Sequence, residues 1–266
     1  MRSDAAGILS LAVLGLLVMA ALAAPLLTPY HYNEGSVTER LLPPFSPGHV
    51  LGTDALGRDL LTRIIYGSRV SLLVGAASVL LAGTIGTVIG LLSGYLGGRF
   101  DRMVTRIIDA QLSFPFMMLA LTLAALLGPS LRNVIITLVV SSWVIYARLV
   151  RGQVLEERER EYVQAARALG ASTARVTFRH LLPNVVPNVI VLASLEVGRM
   201  IIAEASISFL GYGIQPPLPS WGKMVAEGKD YLFTAWWISA LSGAAIGLTT
   251  LCANLAGDWL RDRVGR

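Results

Sequence analysis

The sequence has very few residues of the kinds that form disulfides, metal sites or catalytic centres. Cys252 is the only cysteine in 266 residues, so no intramolecular disulfide can form and the redox compartment cannot be inferred. The three histidines, His31, His49 and His180, lie in segments that we predict to be loops. There is no HExxH or GxSxG segment, which argues against a membrane-embedded hydrolase. A GxxxxGKS or GxxxxGKT segment, the phosphate-binding loop of many nucleotide-hydrolysing proteins, is also missing.

Charged residues are scarce as well, at 15%, whereas 54% of the residues are hydrophobic. This composition is too apolar for an ordinary soluble domain and indicates several membrane spans. Since a span needs about 20 predominantly apolar residues, we predict an all-α integral membrane protein with about six transmembrane helices. The predicted stretches are 7–27, 70–96, 107–127, 134–149, 187–210 and 236–255.

The first stretch could also be a secretory signal, because it follows Arg2 and ends in ALAAP. The apolar core of a signal peptide is usually about 7–15 residues long, and the run over residues 7–27 is longer than that. We therefore predict that residues 1–27 form a retained first transmembrane helix.

Arginine is unevenly distributed among the segments that connect the stretches. It clusters after the second, fourth and sixth stretches and is sparser elsewhere. Because basic residues concentrate on the cytoplasmic side of membrane proteins, we predict that both termini and the loop 151–186 are cytoplasmic. The net charge of +5 then reflects arginines near anionic membrane lipid, and no nucleic-acid partner is needed to explain it. The clustered arginines are Arg99, Arg102, Arg106, Arg148, Arg151, Arg158, Arg160, Arg167, Arg175, Arg179, Arg261, Arg263 and Arg266.

Residues 28–69 are predicted to form an extracytoplasmic loop and an interfacial helix. Prolines interrupt regular structure up to about residue 49. Thr53 or Asp54 is then suited to cap an amphipathic helix on the outer interface. This helix is either a collar that positions the second span or a contact for an extracytoplasmic partner. Its apolar residues are Leu56, Leu60, Leu61, Ile64 and Ile65.

Two features of the second and third stretches concern helix packing. Gly86, Gly90 and Gly94 recur every four residues, and small residues at this spacing let helix backbones approach closely in lipid. We expect them to contact another helix of the bundle or a second membrane subunit. In the third stretch, Pro115 predicts a kink or a helix start.

The fifth stretch contains three charged residues, Glu196, Arg199 and Glu204. A charge at the centre of a span costs about 2.5–3.5 kcal/mol on insertion scales, so these residues need partners or solvent. Glu196 and Arg199 are three residues apart and can pair on one helix face, whereas Glu204 points to nearly the opposite side. Two interpretations remain open: a polar strip on a translocation path or subunit contact, and an ion pair that fixes packing.

A polar, alanine-rich segment, EYVQAARALG, occupies residues 161–170 between the fourth and fifth stretches. Ala165 and Ala166 offer a small, flat contact surface, and Gly170 is suited to end or bend the helix. Pro183 and Pro187 are expected to end whatever element follows. Such a helix can transmit force from a soluble partner, or it can be an ordinary charged connector.

The segment QAARALG at residues 164–170, followed by HLLP at residues 180–183, resembles the EAA loop of ATP-binding-cassette (ABC) importer permeases. Gln164 and His180 depart from the Glu and Ile that are usual in that loop, but the spacing of alanine, glycine and proline is kept. The resemblance implies a helix that couples the chain to an ATPase. The implied coupling residues are Glu161, Gln164, Ala165, Ala166, Gly170, Leu182 and Pro183.

Further motifs extend this resemblance over nearly all of residues 51–262. They are LGTDALGRDLLTRIIYGSRVSL, RHLLPN, EASISFLGYGIQPPLPSWG and NLAGDWLRD, in that order. Together they resemble the C-type subunit of the dipeptide, oligopeptide and nickel permease family. The resemblance implies a type I ABC importer-like fold, with a permease transmembrane domain over residues 70–266 that contains the coupling loop 151–186.

The resemblance also implies a function and a set of partners. The chain would be a translocation subunit, not an enzyme, that moves dipeptides or related small solutes across the bacterial cytoplasmic membrane. Its partners would be a B-type permease subunit in a heterodimer, two cytoplasmic ABC ATPase domains that bind ATP and Mg, and an extracytoplasmic substrate-binding protein; no cofactor is expected in this chain. An ion-coupled secondary transporter is the alternative, with Glu196, Arg199 and Glu204 as its candidate ion site.

Overall fold

A computed structural model describes residues 2–264 of the chain, and most of this range is helical. Within the described range there are no β-strands, only isolated bridges in residues 35–59. This confirms the predicted all-α class. The helices are α1 (Arg2–Leu22), α2 (Ala24–Leu27), α3 (Leu60–Leu96), α4 (Gly98–Leu112), α5 (Phe116–Leu127), α6 (Leu131–Glu157), α7 (Glu161–Ala168), α8 (Thr173–Arg175), α9 (Leu182–Phe209), α10 (Trp221–Gly228) and α11 (Trp237–Val264), with a π-helical turn over Val176–Leu181 and 3₁₀ turns over Val37–Glu39 and Lys229–Tyr231.

The apolar helices account for the predicted membrane spans. Five helical runs among the described residues are long and apolar enough to cross a bilayer, and a sixth span is present if α4 and α5 are counted together. One of them, α3, has 37 residues, or about 55 Å at 1.5 Å per residue, which exceeds the roughly 30 Å of a hydrocarbon core. The span number of about six is therefore confirmed.

The third predicted stretch, residues 107–127, is not one straight helix. It divides into α4 and α5, whose axes differ by 92°. Pro115 has an extended backbone, with φ −57° and ψ 127°, and α5 begins immediately after it. Proline disfavours helical backbone at the residue before it, so the break falls at this point. The prediction of a kink or helix start at Pro115 is confirmed as a helix start.

The prediction that Pro183 and Pro187 end the element before them is wrong. A continuous helical run extends over Thr173–Phe209 and includes both prolines. Ahead of Pro183 the helix widens into the π-helical turn, where the Leu182 amide donates to the Thr177 carbonyl five residues earlier. Pro183 then falls in the first turn of α9, where a missing amide proton removes no helical hydrogen bond.

Helices α3 and α6 pack closely against each other. A Cβ atom at Gly86 would overlap the carbonyl oxygen of Trp143, and one at Gly90 would lie 2.5 Å from the carbonyl oxygen of Ala147. These distances are too short for any side chain, so glycine is required at both positions. The predicted helix contact is thus confirmed, and it is a contact within the chain.

The two ends of the bundle differ in composition. One end, which we call the α7 end, contains the end of α3, the end of α6, α7 and α8. The start of α1 and the end of α11 also meet there. Their side chains Asp4 and Arg263 are 4.0 Å apart. The opposite end carries residues 28–59 and α10, which we call the cap. The Arg69 guanidinium joins the cap end to α1 by donating to the Leu22 carbonyl at 2.9 Å. The arginine clusters noted in the sequence therefore share one end, apart from Arg266, which lies outside the described residues.

The helix start predicted at Thr53 or Asp54 is wrong, and the described residues 40–59 form no separate helix ahead of α3. Residues 51–59 are irregular, and α3 begins at Leu60. Asp59 is its N-cap, because this carboxylate accepts hydrogen bonds from the amide and the hydroxyl of Thr62 at 2.8 and 2.7 Å. The polar residues between the apolar positions of the predicted helix are buried, namely Arg58, Asp59, Thr62 and Arg63.

A buried ionic cluster ties the cap together, and we call it the cap cluster (Asp54, Arg58, Arg63 and Glu227). The Asp54 carboxylate accepts from Arg58 at 2.7 Å and from Arg63 at 2.5 Å. Both arginines also reach Glu227 of α10, at 3.3 and 2.7 Å. The side chains of Asp54 and Arg63 are only 2% and 3% exposed. The cluster joins the irregular segment, the first turn of α3 and α10 into one unit.

Candidate functional site

The segment over residues 161–170, which we call the α7 segment, forms a short helix with a defined end. α7 starts at Glu161, with three residues between it and the end of α6, and its last helical residue is Ala168. Gly170 has φ +79°, a conformation that favours glycine. The amides of Gly170 and Ala171 donate back to the carbonyls of Arg167 and Ala166 at 2.9 and 3.0 Å, which is the Schellman arrangement. Gly170 therefore ends the helix, as the sequence predicted.

One face of the α7 segment is fixed to the bundle. Val163 is fully buried and belongs to a cluster of apolar side chains from α3, α6, the π-helical turn and α9. The Tyr162 hydroxyl donates to Glu157 at 2.7 Å and accepts from Asn184 at 2.8 Å, so it links the end of α6 to α9. Partial burial, together with the Glu157 carboxylate, raises the pKa of the Tyr162 hydroxyl above its usual value. This residue remains a neutral donor at physiological pH.

Two arginines hold the α7 segment and its flank to the end of α3. Arg158 donates to the Gly94 carbonyl at 2.9 Å. The Arg167 guanidinium lies over the ring of Tyr95, 4.7 Å from its centroid, at a distance typical of a cation–π contact. Together with Val163, these contacts connect the α7 segment to α3, α6 and α9. The α7 segment is therefore in contact with three long helices.

The other face of the α7 segment is open. Glu161, Gln164 and Ala165 are exposed, and Ala166 is half-buried. Leu169 is 88% exposed although it is apolar. The sequence reasoning missed Leu169, for which the available signal was an apolar residue between Ala168 and the terminating glycine of a polar segment. An exposed, nearly flat alanine surface with one apolar side chain at its edge is suited to docking against another protein.

The two later residues of the predicted coupling set lie in different surroundings. Leu182 is half-buried and packs on the same apolar cluster as Val163. Pro183 is exposed in the first turn of α9. The structure thus brings Leu182 to the anchored side of the α7 segment and leaves Pro183 on the surface.

The predicted pairing of Glu196 with Arg199 is present in α9. The Arg199 guanidinium donates to both carboxylate oxygens of Glu196, at 3.0 and 3.1 Å. The Glu196 side chain is 9% exposed, whereas that of Arg199 is 36% exposed. The Arg199 guanidinium also lies 4.1 Å from the centroid of the Phe116 ring at the start of α5. The Glu196 carboxylate therefore neutralises one side of the Arg199 guanidinium, and the other side of the guanidinium is open.

Arg199 opens onto a cavity of about 290 Å³ between α5, α9 and α11. Thr250 and Asn254, one turn apart on α11, contribute the other polar groups of its lining, and Asn254 is exposed. The sequence reasoning did not single out Asn254, although a lone amide in the apolar sixth stretch was a usable signal. The Arg199 guanidinium and the Asn254 amide lie within apolar helices, and such polar groups make contact between this cavity and lipid unfavourable.

Glu204 is placed apart from the pair, toward the cap. Its side chain is fully buried. The carboxylate accepts from the hydroxyl of Ser208 at 2.7 Å and from that of Ser71 on α3 at 3.2 Å. In this structure the carboxyl reaches no surface of the chain and joins α9 to α3. The role predicted for Glu204 on a path or subunit contact stays a prediction.

The described residues do not form a candidate metal site. Within residues 2–264, no group of three or more His, Cys, Asp or Glu side chains is placed to hold a metal ion.

Comparison with known protein families gives two matches that together cover most of the chain. Residues 86–266 match the family described as the binding-protein-dependent transport system inner membrane component. Residues 1–44 match the N-terminal transmembrane domain of oligopeptide transport permease C.

Individual relatives are similar over most of their length. The chain is 44% identical to the probable D,D-dipeptide transport system permease protein DdpC of Escherichia coli (strain K12), covering 95% of this chain and 85% of that protein. It is 40% identical to the dipeptide transport system permease protein DppC of Alkalihalophilus pseudofirmus, covering 98% and 86%. It is 41% identical to the glutathione transport system permease protein GsiD of Pectobacterium atrosepticum, covering 93% and 82%.

Among solved structures, the fold is similar to a chain of the MetNI methionine ABC transporter in an inward-facing conformation. The TM-score is 0.61 at 20% sequence identity, and the match covers 78% of this chain and 98% of that one. At this identity the likeness concerns the fold alone.

Proposed function

This chain belongs to the family of binding-protein-dependent transport system inner membrane components, and from that premise we propose that it carries short peptides across the membrane in response to ATPase movements transmitted through the α7 segment. The family resemblance seen in the sequence is confirmed, and the chain is a multi-pass permease subunit of an ABC importer. Its substrate, its partner subunits and its orientation are the parts that we propose.

Dipeptides and related small peptides are the proposed substrates. The relatives named above are permeases for D,D-dipeptides, dipeptides and glutathione, and they are 40–44% identical to this chain. The proposed partners are a B-type permease subunit, two ATPase domains that hold ATP and Mg, and a substrate-binding protein that delivers the peptide. No cofactor is assigned to this chain.

The observation that carries the coupling role is the two-sided character of the α7 segment. Its inner face is fixed through Val163 to side chains of α3, α6 and α9, and its outer face is exposed at Ala165 and Leu169. In our proposal an ATPase binds the outer face of the α7 segment, and Leu182 and Pro183 support the segment from the start of α9. The residues assigned to ATPase binding are Glu161, Gln164, Ala165, Ala166 and Gly170. Closure of the ATPases would then move the segment and tilt the attached helices.

The proposed orientation puts the α7 end in the cytoplasm and the cap outside. It is supported by the arginines that gather at the α7 end. Both termini would then be cytoplasmic, and the cap would be the surface nearest to the substrate-binding protein.

We assign the Glu196–Arg199 pair to the translocation path or to the contact with the B-type subunit. The open side of Arg199 faces a cavity that also contains Thr250 and Asn254. Leaving such groups in lipid would cost about 2.5–3.5 kcal/mol for the charge alone, so protein or water is the better neighbour.

The described residues do not form the ion-binding site that an ion-coupled transporter would need. That alternative needs Glu196, Arg199 and Glu204 to act together on an ion, but Glu196 is neutralised by Arg199 and Glu204 is bonded to serine hydroxyls elsewhere in the bundle. Family membership favours ATP-driven import.

Uptake by the reconstituted importer distinguishes the two functions. The chain would be assembled with its partner permease, ATPases and binding protein in liposomes and supplied with radiolabelled dialanine. We expect uptake that requires ATP and persists when ionophores collapse the proton and sodium gradients. Uptake that continues without ATP and stops with ionophores would contradict the proposal. D-Ala-D-Ala and glutathione, used as competitors, would define the substrate class.

A further inference from the structure

The helix α4 has two faces of different character. Val104 and Ile108 are buried against the bundle, where they pack on side chains of α3 and α6. The opposite face carries Arg99, Arg102 and Arg106, all exposed. At the helical period of 3.6 residues, these arginines fall within about 60° of one another around the axis. The basic face of α4 therefore points away from the bundle.

The acidic residues of α4 do not neutralise this basic face, because they are paired with arginines of α6. Asp101 accepts two hydrogen bonds from Arg151, at 2.5 and 2.7 Å, and Asp109 accepts one from Arg148 at 2.9 Å. For the three arginines of α4, no carboxylate in residues 2–264 lies within ion-pair distance. The outer face of α4 thus has three guanidinium groups without a protein counter-ion.

Apolar side chains are interleaved with these guanidinium groups. Met103 and Ile107 are 53% and 47% exposed. Together with the three arginines they line a surface cavity of about 370 Å³. A guanidinium presents a planar set of donors that matches phosphate oxygens in pairs, whereas Met103 and Ile107 can contact only apolar groups. A ligand that carries both a phosphate and a hydrocarbon chain satisfies the whole cavity.

The position of α4 in the fold suits a membrane interface. α4 begins two residues after the end of α3, at the α7 end, and the chain bends by 92° between α4 and α5. An amphipathic helix at the end of a span, with basic and apolar side chains on its outer face, is suited to the membrane interface. Basic residues next to a span attract anionic lipids.

We propose that Arg99, Arg102 and Arg106 bind the phosphate headgroup of an anionic phospholipid, and that Met103 and Ile107 contact the upper part of its acyl chains. Phosphatidylglycerol has the required chemistry. The site is separate from the α7 segment and from the Glu196–Arg199 pair. It does not depend on the transported substrate or on the identity of the ATPase.

Native mass spectrometry of the full chain, purified in detergent, tests this proposal. The measurement compares the binding of phosphatidylglycerol with that of phosphatidylcholine carrying the same acyl chains. We expect the wild type to prefer phosphatidylglycerol on the order of tenfold to a hundredfold, from three basic residues near one headgroup. The triple variant R99Q/R102Q/R106Q should lose most of this preference. A matched triple variant, R160Q/R261Q/R263Q, removes the same charge from exposed arginines that have carboxylate neighbours, and it should keep the preference.

Several outcomes would overturn the proposal. An equal loss of the preference for phosphatidylglycerol in both triple variants would indicate a general effect of net charge. Displacement of phosphatidylglycerol by inorganic phosphate alone would indicate a free-phosphate site. Unchanged lipid binding in R99Q/R102Q/R106Q, together with loss of ATPase binding in the assembled importer, would make the face a protein-docking surface.

A second set of variants separates lipid binding from folding. R99K/R102K/R106K keeps the charge and should retain a clear preference for phosphatidylglycerol. M103S/I107S should keep that preference for the headgroup while weakening the binding of both lipids severalfold. Thermal unfolding in detergent checks that each variant is folded. If the lysine variant folds but shows no preference, or if M103S/I107S binds both lipids as the wild type does, the proposed site is wrong.

Discussion

At the cap, charges are neutralised inside the chain, whereas at the α7 end the contact surfaces are left open. The cap cluster contains two acidic and two basic side chains that contact one another, and Asp54 and Arg63 are almost completely buried. The α7 segment instead has an anchored inner face and an exposed outer face with Ala165 and Leu169. The cap is thus a unit completed by its own residues, while the α7 end is shaped for contacts that other molecules supply.

This difference agrees with the two roles that we propose for the ends of the subunit, a rigid end at the cap and an ATPase contact at the α7 end. A self-contained cap fixes the start of α3 against α10 through Arg63 and Glu227. An anchored but open α7 segment can take up a displacement and pass it to α3, α6 and α9. Substitutions should therefore affect stability most in the cap and activity most in the α7 segment.

The largest loss of stability is expected from Asp54→Ala. This change leaves Arg58 and Arg63 buried with only Glu227 as a shared partner, and breaking a buried ion pair typically costs about 3–5 kcal/mol. Thermal and denaturant unfolding in detergent would measure the change, and protease cleavage within residues 28–59 would show where it acts. The matched control is Asp258→Ala, which removes an exposed carboxylate paired with Arg261 and should cost less than about 1 kcal/mol. Equal stability of the two variants would show that the cap cluster does not hold the cap.

The location of the cap cluster explains why sequence reasoning placed the first helix turn of α3 wrongly. Local signals made Thr53 and Asp54 good N-caps, but the Asp54 carboxylate is bound by Arg58 and by Arg63, nine residues later. Glu227, 164 residues from Arg63, completes the arrangement. A contact of that separation has no local signature, so nothing nearby showed that Asp54 is engaged elsewhere and that Asp59, also a good N-cap residue, starts the helix.

Other features were predictable because their causes are local. Composition and the length of apolar runs predicted the spans, and the four-residue spacing of Gly86 and Gly90 predicted a close helix contact. Gly170 predicted the end of α7 because a positive φ favours glycine. The passage of a helix through Pro183 was not predictable in the same way, since the π-helical turn that permits it depends on packing around Val176 and Leu181.

The candidate site was predicted in part for the same reason. The three-residue spacing of Glu196 and Arg199 predicted their pairing, and the structure has that pair. Which side of Arg199 stays open depends on Phe116 and Asn254, which come from other helices. In the α7 segment, the buried position of Val163 and the exposed position of Leu169 likewise follow from tertiary packing.

An intermediate effect is expected for the Glu196–Arg199 pair. Each single variant, Glu196→Gln or Arg199→Gln, leaves one charge without its partner in the middle of α9, and the double variant should recover part of the lost stability. Because Arg199 is partly exposed, we expect a coupling energy on the order of 1–2 kcal/mol. A double-mutant cycle on unfolding in detergent gives this energy. The exposed pair of Asp109 and Arg148 is the control and should give about 0–1 kcal/mol. Additive losses in the Glu196–Arg199 cycle would contradict the pairing, and a double variant that is stable but inactive would support a role in the translocation path.

The smallest effects on stability, and the largest on activity, are expected in the α7 segment. The Ala165 side chain is exposed, so Ala165→Asp should change the free energy of unfolding by less than about 1 kcal/mol. Gly170→Leu should add only a local cost, because no heavy atom lies within 4 Å of the position that a Cβ would take, although its φ of +79° disfavours leucine. Both changes alter the surface that we assign to ATPase docking.

The most direct test of the account measures ATP hydrolysis and peptide uptake side by side in the reconstituted importer with its binding protein. For Ala165→Asp and Gly170→Leu, we predict normal membrane insertion, loss of ATPase binding or of substrate-stimulated hydrolysis, and loss of uptake. Arg160→Gln, an exposed change just before α7 that removes a partner of Glu157, should keep most of the coupled activity. Normal hydrolysis and normal uptake in both α7 variants would contradict the central claim that the α7 segment transmits ATPase movement to the translocation path.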